Sequence, residues 1–238
     1  MRLNRYLARC GIASRRGAEK VLQAGRVRLN GEVVFDPARD ISSADLVEVD
    51  CQAVAFESSV YVVMNKPRGV ACAVWDKFNP TVIDILAPDL RALRLYPVGR
   101  LDMDSEGLLI ITNDGDFCHS LIHPSSGYDK TYEVLLNRKP DSDTLCRWRE
   151  GIVLDNRLIR PRALEVMDRD PFGLWLSIVL QDGVNREIRR MAEFFSLSVH
   201  RLFRRKIGTM EMQGVQPGGY RVMDLQRLWN AIRHGGTV

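Results

Sequence analysis

The sequence predicts an α+β protein: a small helical and hairpin unit followed by a larger unit with a mainly antiparallel or mixed β-sheet and flanking helices. Two observations predict this class. Near the amino terminus, helical spacing of apolar residues is followed by a strand pattern with a tight turn. Further along, strand-length apolar runs occur without a regular β-α-β alternation, and neither G-x-G-x-x-G nor G-x-x-x-x-G-K-[ST] is present in the sequence.

The small unit has clear start and stop signals. Apolar residues between Arg2 and Arg9 recur at helical spacing, which predicts a short helix ending before Gly11. A second helix is predicted between Ser14, a favoured N-cap residue, and Gly25, a favoured terminating residue. Alternating residues on both sides of Asn30-Gly31 then predict a hairpin.

The larger unit contains four strand patterns. They are Val60–Met64, Leu108–Ile111, Lys130–Leu136 and Leu174–Leu180. Leu108–Ile111 is apolar on both faces, so we expect a central strand there. Turn residues follow Val60–Met64, Leu108–Ile111 and Leu174–Leu180, which limits these strands to ordinary lengths.

Composition and termini exclude several classes of protein. Of the 238 residues, 45% are hydrophobic and 27% are charged, so the chain can bury a core and wholesale disorder is excluded. The amino terminus lacks the apolar segment of a signal peptide, and no apolar run reaches the roughly 20 residues of a membrane span. We therefore expect a soluble, cytoplasmic protein without a membrane partner.

Cysteine and histidine usage does not favour a metal site. The five cysteines are widely spaced and form no C-x-x-C pair, so neither a disulfide framework nor a thiolate zinc site is predicted. His119 and His123 are four residues apart, but the segment lacks the glutamate of an H-E-x-x-H motif. We expect a surface or capping role for this pair and no bound metal.

Positive charge is concentrated in two stretches. Residues 1–31 contain eight Arg or Lys residues against Glu19 alone, and residues 183–206 contain seven against two acidic residues. Two arginine-rich stretches in a chain with a formal net charge of only +4 favour a polyanionic partner, with nucleic acid first among the candidates. The alternative is that each stretch forms a solvated helix face.

The amino-terminal pattern resembles the S4 RNA-binding domain over residues 1–48. The resemblance rests on G-x-x-S-R-R at residues 11–16, within the helical pair, and on G-R-V-x-L-N-G at residues 25–31. It implies that this unit binds structured RNA. The arginines that we assign to this role are Arg2, Arg5, Arg15, Arg16, Arg26 and Arg28.

The rest of the chain resembles the pseudouridine synthases. Gly99–Leu109 is similar to their G-R-L-D-x-x-x-x-G-L motif, and Asn65–Gly69 to their N-K-P-x-G element. Lys130–Tyr132 resembles K-x-Y, and Gly183–Met191 resembles G-x-x-x-[EQ]-[IV]-[RK]-R. Together with the amino-terminal unit, these ordered motifs cover nearly the whole chain and point to the branch that modifies one or a few sites in ribosomal RNA.

The resemblance implies a catalytic set of Asp102, Tyr132 and Arg189. Asp102 would act as a nucleophile or base at the ribose or the uracil ring, Tyr132 would stack on the flipped target base, and no cofactor would be needed. Arg189 would keep Asp102 ionised. Helical spacing agrees, since Arg189 lies nearest the edge of the apolar face formed by residues such as Ile188 and Met191.

Further residues complete the predicted site. Additional RNA contacts are expected from Arg100, Lys130, Arg186 and Arg190. Asp104 and Glu106 are interpreted as turn and solvent-facing residues. We predict domains at residues 1–48 and 60–238 joined by a linker at residues 49–59, in a monomer that binds ribosomal RNA or a ribosome assembly particle.

Two other functions fit parts of the pattern. A metal-dependent RNA nuclease could use Asp102, Asp104, Glu106 and Asp114 as a magnesium cluster, and a non-catalytic ribosome-binding or assembly factor could use the same basic stretches. Within the pseudouridine synthases, large-subunit RNA is favoured over small-subunit RNA as the substrate. Relatives with the large-subunit specificity commonly have Gly-Arg-Asn, whereas this chain has Gly183-Val184-Asn185.

Overall fold

A computed structural model describes residues 1–167, 169, 172, 174–181 and 186–237. The chain forms two compact units. The first comprises Met1–Ser59 with the short segments Ala92–Arg94 and Asn113–Gly115, and the second comprises the remaining residues. In the described part of the chain, no helix is long and apolar enough to cross a membrane.

The first unit combines two helices with a four-stranded sheet. Its elements are α1 (Leu3–Arg9), α2 (Arg15–Gln23), β1 (Val27–Leu29), β2 (Glu32–Val33), β3 (Val47–Val49) and β4 (Gln52–Ala53), with sheet order β2-β1-β3-β4. The Ser14 side chain accepts a hydrogen bond from the Gly17 N–H and so caps α2. Apolar residues of both helices and of strands β1 and β3 form one core, as the periodicity predicts.

Two tight turns shape this sheet. Asn30 and Gly31 have φ values of 53° and 87°, so the β1–β2 connection has the left-handed backbone that an Asn-Gly hairpin favours. Asp50 and Cys51 also have positive φ, at 51° and 64°, and connect β3 to β4. Strand β4 lies within the segment that we expected to be a linker. Because this strand is only two residues long, it has no alternating pattern by which the sequence could predict it.

The second unit is built on one large mixed sheet. Its strands are β5 (Tyr61–Lys66), β6 (Tyr96–Val98), β7 (Glu106–Thr112), β8 (Lys130–Leu136), β11 (Ala163–Val166), β12 (Trp175–Leu180), β13 (Val199–Ile207), β14 (Met210–Glu211), β15 (Tyr220–Met223) and β16 (Gly236–Thr237). Strands β9 (Ile152–Leu154) and β10 (Arg157–Ile159) form a separate hairpin. The helices are α3 (Pro88–Arg91), α4 (Gly115–Ile122), α5 (Ser142–Glu150), α6 (Glu187–Phe194) and α7 (Leu225–His234).

The main path of the sheet runs β11-β12-β8-β13-β7-β5-β15. Pairing is antiparallel along this path except between β13 and β7, which are parallel. Strand β7 is central, as its continuous apolar sequence predicts, and all seven of its residues are buried. The predicted α+β class with a mixed sheet is confirmed.

Helices cover the sheet on both faces. Neighbouring side chains of a strand point to opposite faces, and Leu202 and Phe203 of β13 belong to different cores. Helices α5 and α6 pack over β8, β12 and β13 in the first core, which also contains Leu101 and Tyr132. Helices α4 and α7 pack over β5 and β7 in the second. The candidate site lies where α6 approaches the loop that precedes β7.

Strand β13 corrects the interpretation of the second basic stretch. We predicted a nucleic-acid-binding surface there, but most of its cations are held within the second unit. The partners are Glu106 for Arg201 at 2.7 Å, Glu133 for Arg205 at 2.7 Å, Glu211 for Lys206 at 3.4 Å and the Leu108 carbonyl for Arg204 at 2.7 Å. Carboxylates from distant strands therefore allow a basic segment to form a central strand.

The two histidines of α4 and the following turn have the expected structural role. The His123 side chain accepts a hydrogen bond from the Ser125 N–H and caps the short 3₁₀ helix Pro124–Ser126. The rings of His119 and His123 lie 4.8 Å apart. Among the residues that the structure describes, no group of three or more His, Cys, Asp or Glu side chains could hold a metal ion.

Candidate active site

The candidate site is built around the loop between β6 and β7. These strands pair in an antiparallel register, with Val98 opposite Ile110, so the loop of residues 99–105 emerges at one end of the sheet. The Ser105 N–H donates to the Asp102 carbonyl at 3.0 Å and closes a turn. Leu101 is buried in the first core and anchors the loop next to Asp102.

Lys66 forms hydrogen bonds to the backbone of this loop from the interior of the protein. Its side chain is fully buried at the end of β5 and donates to the carbonyls of Ser105 at 2.8 Å and Pro67 at 3.0 Å. Burial lowers the pKa of Lys66, while nearby acidic groups, including Asp104, oppose that shift. The Gly69 N–H adds a bond to the Met103 carbonyl at 2.8 Å. Residues of the N-K-P-x-G element thus bond to the backbone on the carboxyl side of Asp102.

Lys66 is a site residue that the sequence interpretation did not single out. The available signal was its place in the N-K-P-x-G element, immediately after an apolar strand. A lysine at such a position is normally expected to be exposed. Only the folded arrangement shows that its ammonium group donates to the backbone carbonyls of Pro67, Met103 and Ser105.

Gly107 allows β13 to approach β7 closely. Its φ is +104°, and a Cβ at this position would lie 2.4 Å from the Arg204 carbonyl oxygen. Arg204 is the residue paired with Gly107 in the parallel register. The backbone conformation and the lack of space both require a glycine here, which explains the second glycine of the G-R-L-D-x-x-x-x-G-L pattern in physical terms.

Arg189 reaches from α6 into the aspartate loop. Its side chain is only 8% exposed and forms an ion pair with Asp104 at 2.9 Å. Its Nε lies 3.9 Å from the nearer Asp102 oxygen, and its NH1 donates to the Val199 carbonyl at 3.1 Å. Burial lowers the pKa of Arg189, and the charges of Asp104 and Asp102 oppose the shift. We expected Arg189 at the edge of the apolar face, whereas the structure buries it.

Asp104 lies in the turn and its side chain is 41% exposed, as we expected, but it also pairs with Arg189, whereas Glu106 is buried and has neither of the expected roles. Asp104 makes the shortest ion pair of Arg189 within the described residues. Glu106 is buried and accepts hydrogen bonds from Arg201 Nε and NH2, the shortest at 2.7 Å. Each carboxylate therefore compensates a guanidinium group, and this pairing argues against the magnesium cluster of the nuclease alternative.

Asp102 lies between two guanidinium groups. One of its carboxylate oxygens is 3.8 Å from Arg186 NH1 and 3.9 Å from Arg189 Nε. The Asp102 side chain is 31% exposed, so a ligand can reach it from solvent. Arg186 is 47% exposed whereas Arg189 is buried, which gives the carboxylate one hydrated and one desolvated cation.

Tyr132 is placed in the interior of the sheet rather than at an open surface. It lies on β8, opposite Ile178 of β12 and Arg204 of β13, and is 9% exposed. Its ring belongs to the same core as Leu101, the neighbour of Asp102. The structure thus brings Tyr132 to the side of the aspartate loop while leaving little of its ring accessible.

The other predicted RNA contacts differ in accessibility. Arg2, Arg5, Arg15, Arg16 and Arg28 of the first unit and Arg100 of the second are exposed. Arg26 is engaged by Asp50 through two hydrogen bonds. In the second unit, Lys130 donates to the Gln181 carbonyl at 2.8 Å and Arg190 pairs with Asp155 at 2.7 Å. Gly183, Val184 and Asn185 of the last motif lie outside the described residues.

Comparison with known families identifies this combination of fold and site. Residues 60–194 match the family described as RNA pseudouridylate synthase, and residues 1–47 match the S4 domain. The chain belongs to the RNA pseudouridylate synthase family. It is a pseudouridine synthase, an enzyme of the isomerase class, with an amino-terminal S4 domain.

Individual relatives resemble the chain over almost its whole length. Ribosomal large subunit pseudouridine synthase B of Bacillus subtilis (strain 168) is 33% identical over 98% of each chain. An uncharacterized RNA pseudouridine synthase of Aquifex aeolicus (strain VF5) is 33% identical over 98% of this chain and 95% of that protein. A crystal structure of a pseudouridylate synthase superposes with a TM-score of 0.67 and 27% identity, covering 96% of this chain and 98% of that one.

Proposed function

We propose that this enzyme converts uridine to pseudouridine at one or a few positions of ribosomal RNA, with large-subunit RNA as the favoured substrate. The observation that carries the proposal is the partly exposed Asp102 between Arg186 and Arg189, in a chain that aligns end to end with a large-subunit enzyme. The basic first unit fits a structured RNA partner, since its exposed arginines are suited to phosphate contacts. The RNA is free or part of a ribosome assembly particle.

Asp102 is proposed as the nucleophile or base of the reaction. Isomerisation breaks the bond between uracil N1 and ribose C1′, turns the ring and joins C5 to C1′, while the C5 proton is lost and N1 gains one. The carboxylate must be ionised for either role. Arg189 supports this charge from a desolvated position, and Arg186 does so from a hydrated one.

The remaining roles follow from position. The target uridine must leave its stack to reach Asp102, and Tyr132, which is 9% exposed, is proposed to contact the flipped base. Arg100 and Arg186, both exposed beside the aspartate loop, are proposed to bind flanking phosphates, with Lys130 and Arg190 as further contacts. The sequence of bond changes involves no redox step, so we propose that the enzyme works without a cofactor.

The proposed organisation of the chain follows the same division of roles. Residues 1–48 would bind RNA and residues 60–238 would carry the catalytic site, while residues 49–59, which add strand β4 to the first unit, would lead from one to the other. We propose that the enzyme acts as a monomer in the cytoplasm.

Pseudouridine mapping tests the proposal. Ribosomal RNA from cells with and without the gene is treated with carbodiimide, and modified positions are read as primer-extension stops. We expect at least one stop in large-subunit RNA to vanish without the gene and to return with wild-type protein but not with Asp102→Asn. An unchanged map of both ribosomal subunits would contradict the proposal and favour a non-catalytic assembly role.

A further inference from the structure

An exposed aromatic loop leaves the catalytic unit beside the candidate site. Residues 71–81, here called the aromatic loop, connect the N-K-P-x-G element to the buried residues Val82 and Ile83. Phe78 and Trp75 are 84% and 76% exposed, the highest values among the large apolar side chains that the structure describes. Two such side chains on one short loop form a surface of the kind that binds a partner.

The loop backbone is held in place although its aromatic side chains are exposed. Its ends are joined where the Ala71 N–H donates to the Pro80 carbonyl at 2.8 Å and the Val82 N–H donates to the Ala71 carbonyl at 2.9 Å. At the tip, Asp76 accepts hydrogen bonds from the N–H groups of Phe78 and Asn79, both at 2.9 Å. The aromatic side chains are therefore presented by an ordered scaffold, which reduces the entropy lost on binding.

The base of the loop is attached to the strand-to-strand connection that carries Asp102. The Gly69 N–H bonds to the Met103 carbonyl, and the Cys72 thiol lies 3.7 Å from the Gly99 carbonyl. These contacts flank Asp102 on its two sides. Trp75 is three residues beyond Cys72, and consecutive Cα atoms are about 3.8 Å apart. The Cα of Trp75 therefore lies within about 11 Å of the Cα of Cys72, whose side chain contacts the aspartate loop.

We propose that Trp75 and Phe78 form a stacking platform for unpaired nucleotides next to the target uridine. The inference rests on the proposed function, in which the RNA passes over Asp102. The only charge of the tip not used within the turn is that of Lys77, whose ammonium lies 5.2 Å from the centre of the Phe78 ring. Aromatic faces combined with a cation suit single-stranded RNA, because bases stack irrespective of sequence and the cation approaches a phosphate.

Substitutions at the loop separate stacking from simple apolar contact. Trp75→Leu and Phe78→Leu retain an apolar side chain but remove the π-face, whereas Trp75→Phe and Phe78→Tyr retain it. We expect each Leu variant to raise the Kd for the ribosomal RNA fragment about tenfold and each aromatic variant to change it less than about threefold. Phe172→Leu, at an exposed aromatic of the same unit outside the loop, serves as the matched control and should bind as wild type.

A fluorescent base measures the contact directly. RNA fragments carry 2-aminopurine at successive positions beside the target uridine, and stacking quenches its emission. We expect wild type to quench the emission at one or more positions beside the target, and Trp75→Leu to lose this quenching. In steady-state assays the Leu variants should raise KM more than they lower kcat, since the platform does not touch the reacting atoms.

Three results would contradict the proposal that Trp75 and Phe78 stack on RNA. Wild-type affinity in both Leu variants, or quenching that survives them, would show that the rings do not stack on RNA. A wild-type dimer in sedimentation that Trp75→Leu dissociates would assign the surface to a second copy of the chain. If wild type fails to isomerise the fragment, the proposed function fails, yet binding of a short oligouridylate still reports whether Trp75 and Phe78 stack on single-stranded RNA.

Discussion

Two arginines lie at nearly equal distances from Asp102 but differ in exposure, so replacing each in turn tests how much the buried cation contributes to the reaction. Arg189 Nε and Arg186 NH1 lie 3.9 and 3.8 Å from the same carboxylate oxygen, but the Arg189 side chain is 8% exposed and that of Arg186 is 47% exposed. Water screens the second pair more strongly than the first. Arg189→Met should therefore slow the reaction more than Arg186→Met, because it removes the less screened of the two cations beside the carboxylate.

The size of the effect follows from distance and exposure. Two unit charges 3.9 Å apart attract by about 4 kcal/mol at an effective dielectric constant of about 20 and by about 1 kcal/mol in bulk water. Since Asp102 is 31% exposed, the attraction lost in Arg189→Met lies between these limits. About 1.4 kcal/mol corresponds to a tenfold change in rate, so Arg189→Met should lower the single-turnover rate by about fivefold to a thousandfold. For Arg186→Met we expect a loss of less than about fivefold.

Single-turnover rates at one pH measure these losses. Wild type, Arg189→Met, Arg186→Met and Arg189→Lys are compared on one RNA fragment, with circular dichroism to confirm that each is folded. Arg189→Lys should stay near wild type because it keeps the positive charge, although it loses the fork of donors. A wild-type rate in Arg189→Met, or an equal loss in Arg186→Met, would refute the reasoning.

Three further expectations concern other parts of the molecule. Asp102→Asn should abolish tritium release from uridine labelled at carbon 5, and activity near wild type would contradict the catalytic role of Asp102. RNA affinity in filter binding should stay within about threefold of wild type, since the two side chains have nearly the same shape and the exposed arginines are retained. Replacing exposed Arg15 and Arg16 together by Gln should lower the log-log salt slope of RNA binding by up to about 1.4 to 1.8, whereas Arg26→Gln, a residue already bonded to Asp50, should change it less; equal effects would contradict the role of exposure. Burial raises the pKa of Glu133, but hydrogen bonds from Arg205 and Arg169 outweigh burial and hold it below the usual 4.5, so its stabilising contribution is present above that pH and lost as the pH falls through the lower folded value. Urea unfolding should accordingly show Glu133→Gln less stable than wild type by about 1 to 3 kcal/mol near neutral pH, with the difference shrinking below pH 4.5, and a constant difference would count against the ion pair.

Local sequence patterns were sufficient for much of the architecture. The helix start at Ser14, the left-handed Asn30-Gly31 turn and the buried central strand around Leu108–Ile111 all agree with the structure. Each depends on short-range effects: a capping hydrogen bond, the backbone preference of a turn dipeptide, and the apolar side chains of a strand buried on both faces. The enzyme class could also be expected from the sequence, because the resemblance involved four motifs in a fixed order together with the S4 pattern.

The charged interior depended on tertiary structure. Strand β13 reads as a basic surface segment because nothing near it in sequence neutralises Arg201 and Arg205, whose partners Glu106 and Glu133 come from other strands. Burying a charge is unfavourable unless a partner and hydrogen bonds are supplied, so its location is settled only when distant segments meet.

The candidate site shows the same difference between what the sequence indicates and what the fold determines. The resemblance to the pseudouridine synthases identified Asp102 and Arg189 as candidates. The fold showed that Asp104 is the carboxylate nearest to Arg189 among the described residues and that Lys66 bonds to the loop from the interior. Sequence periodicity reports which face of an element is apolar. It does not report which polar groups will be brought within hydrogen-bond distance, because those contacts are made between elements that are far apart along the chain.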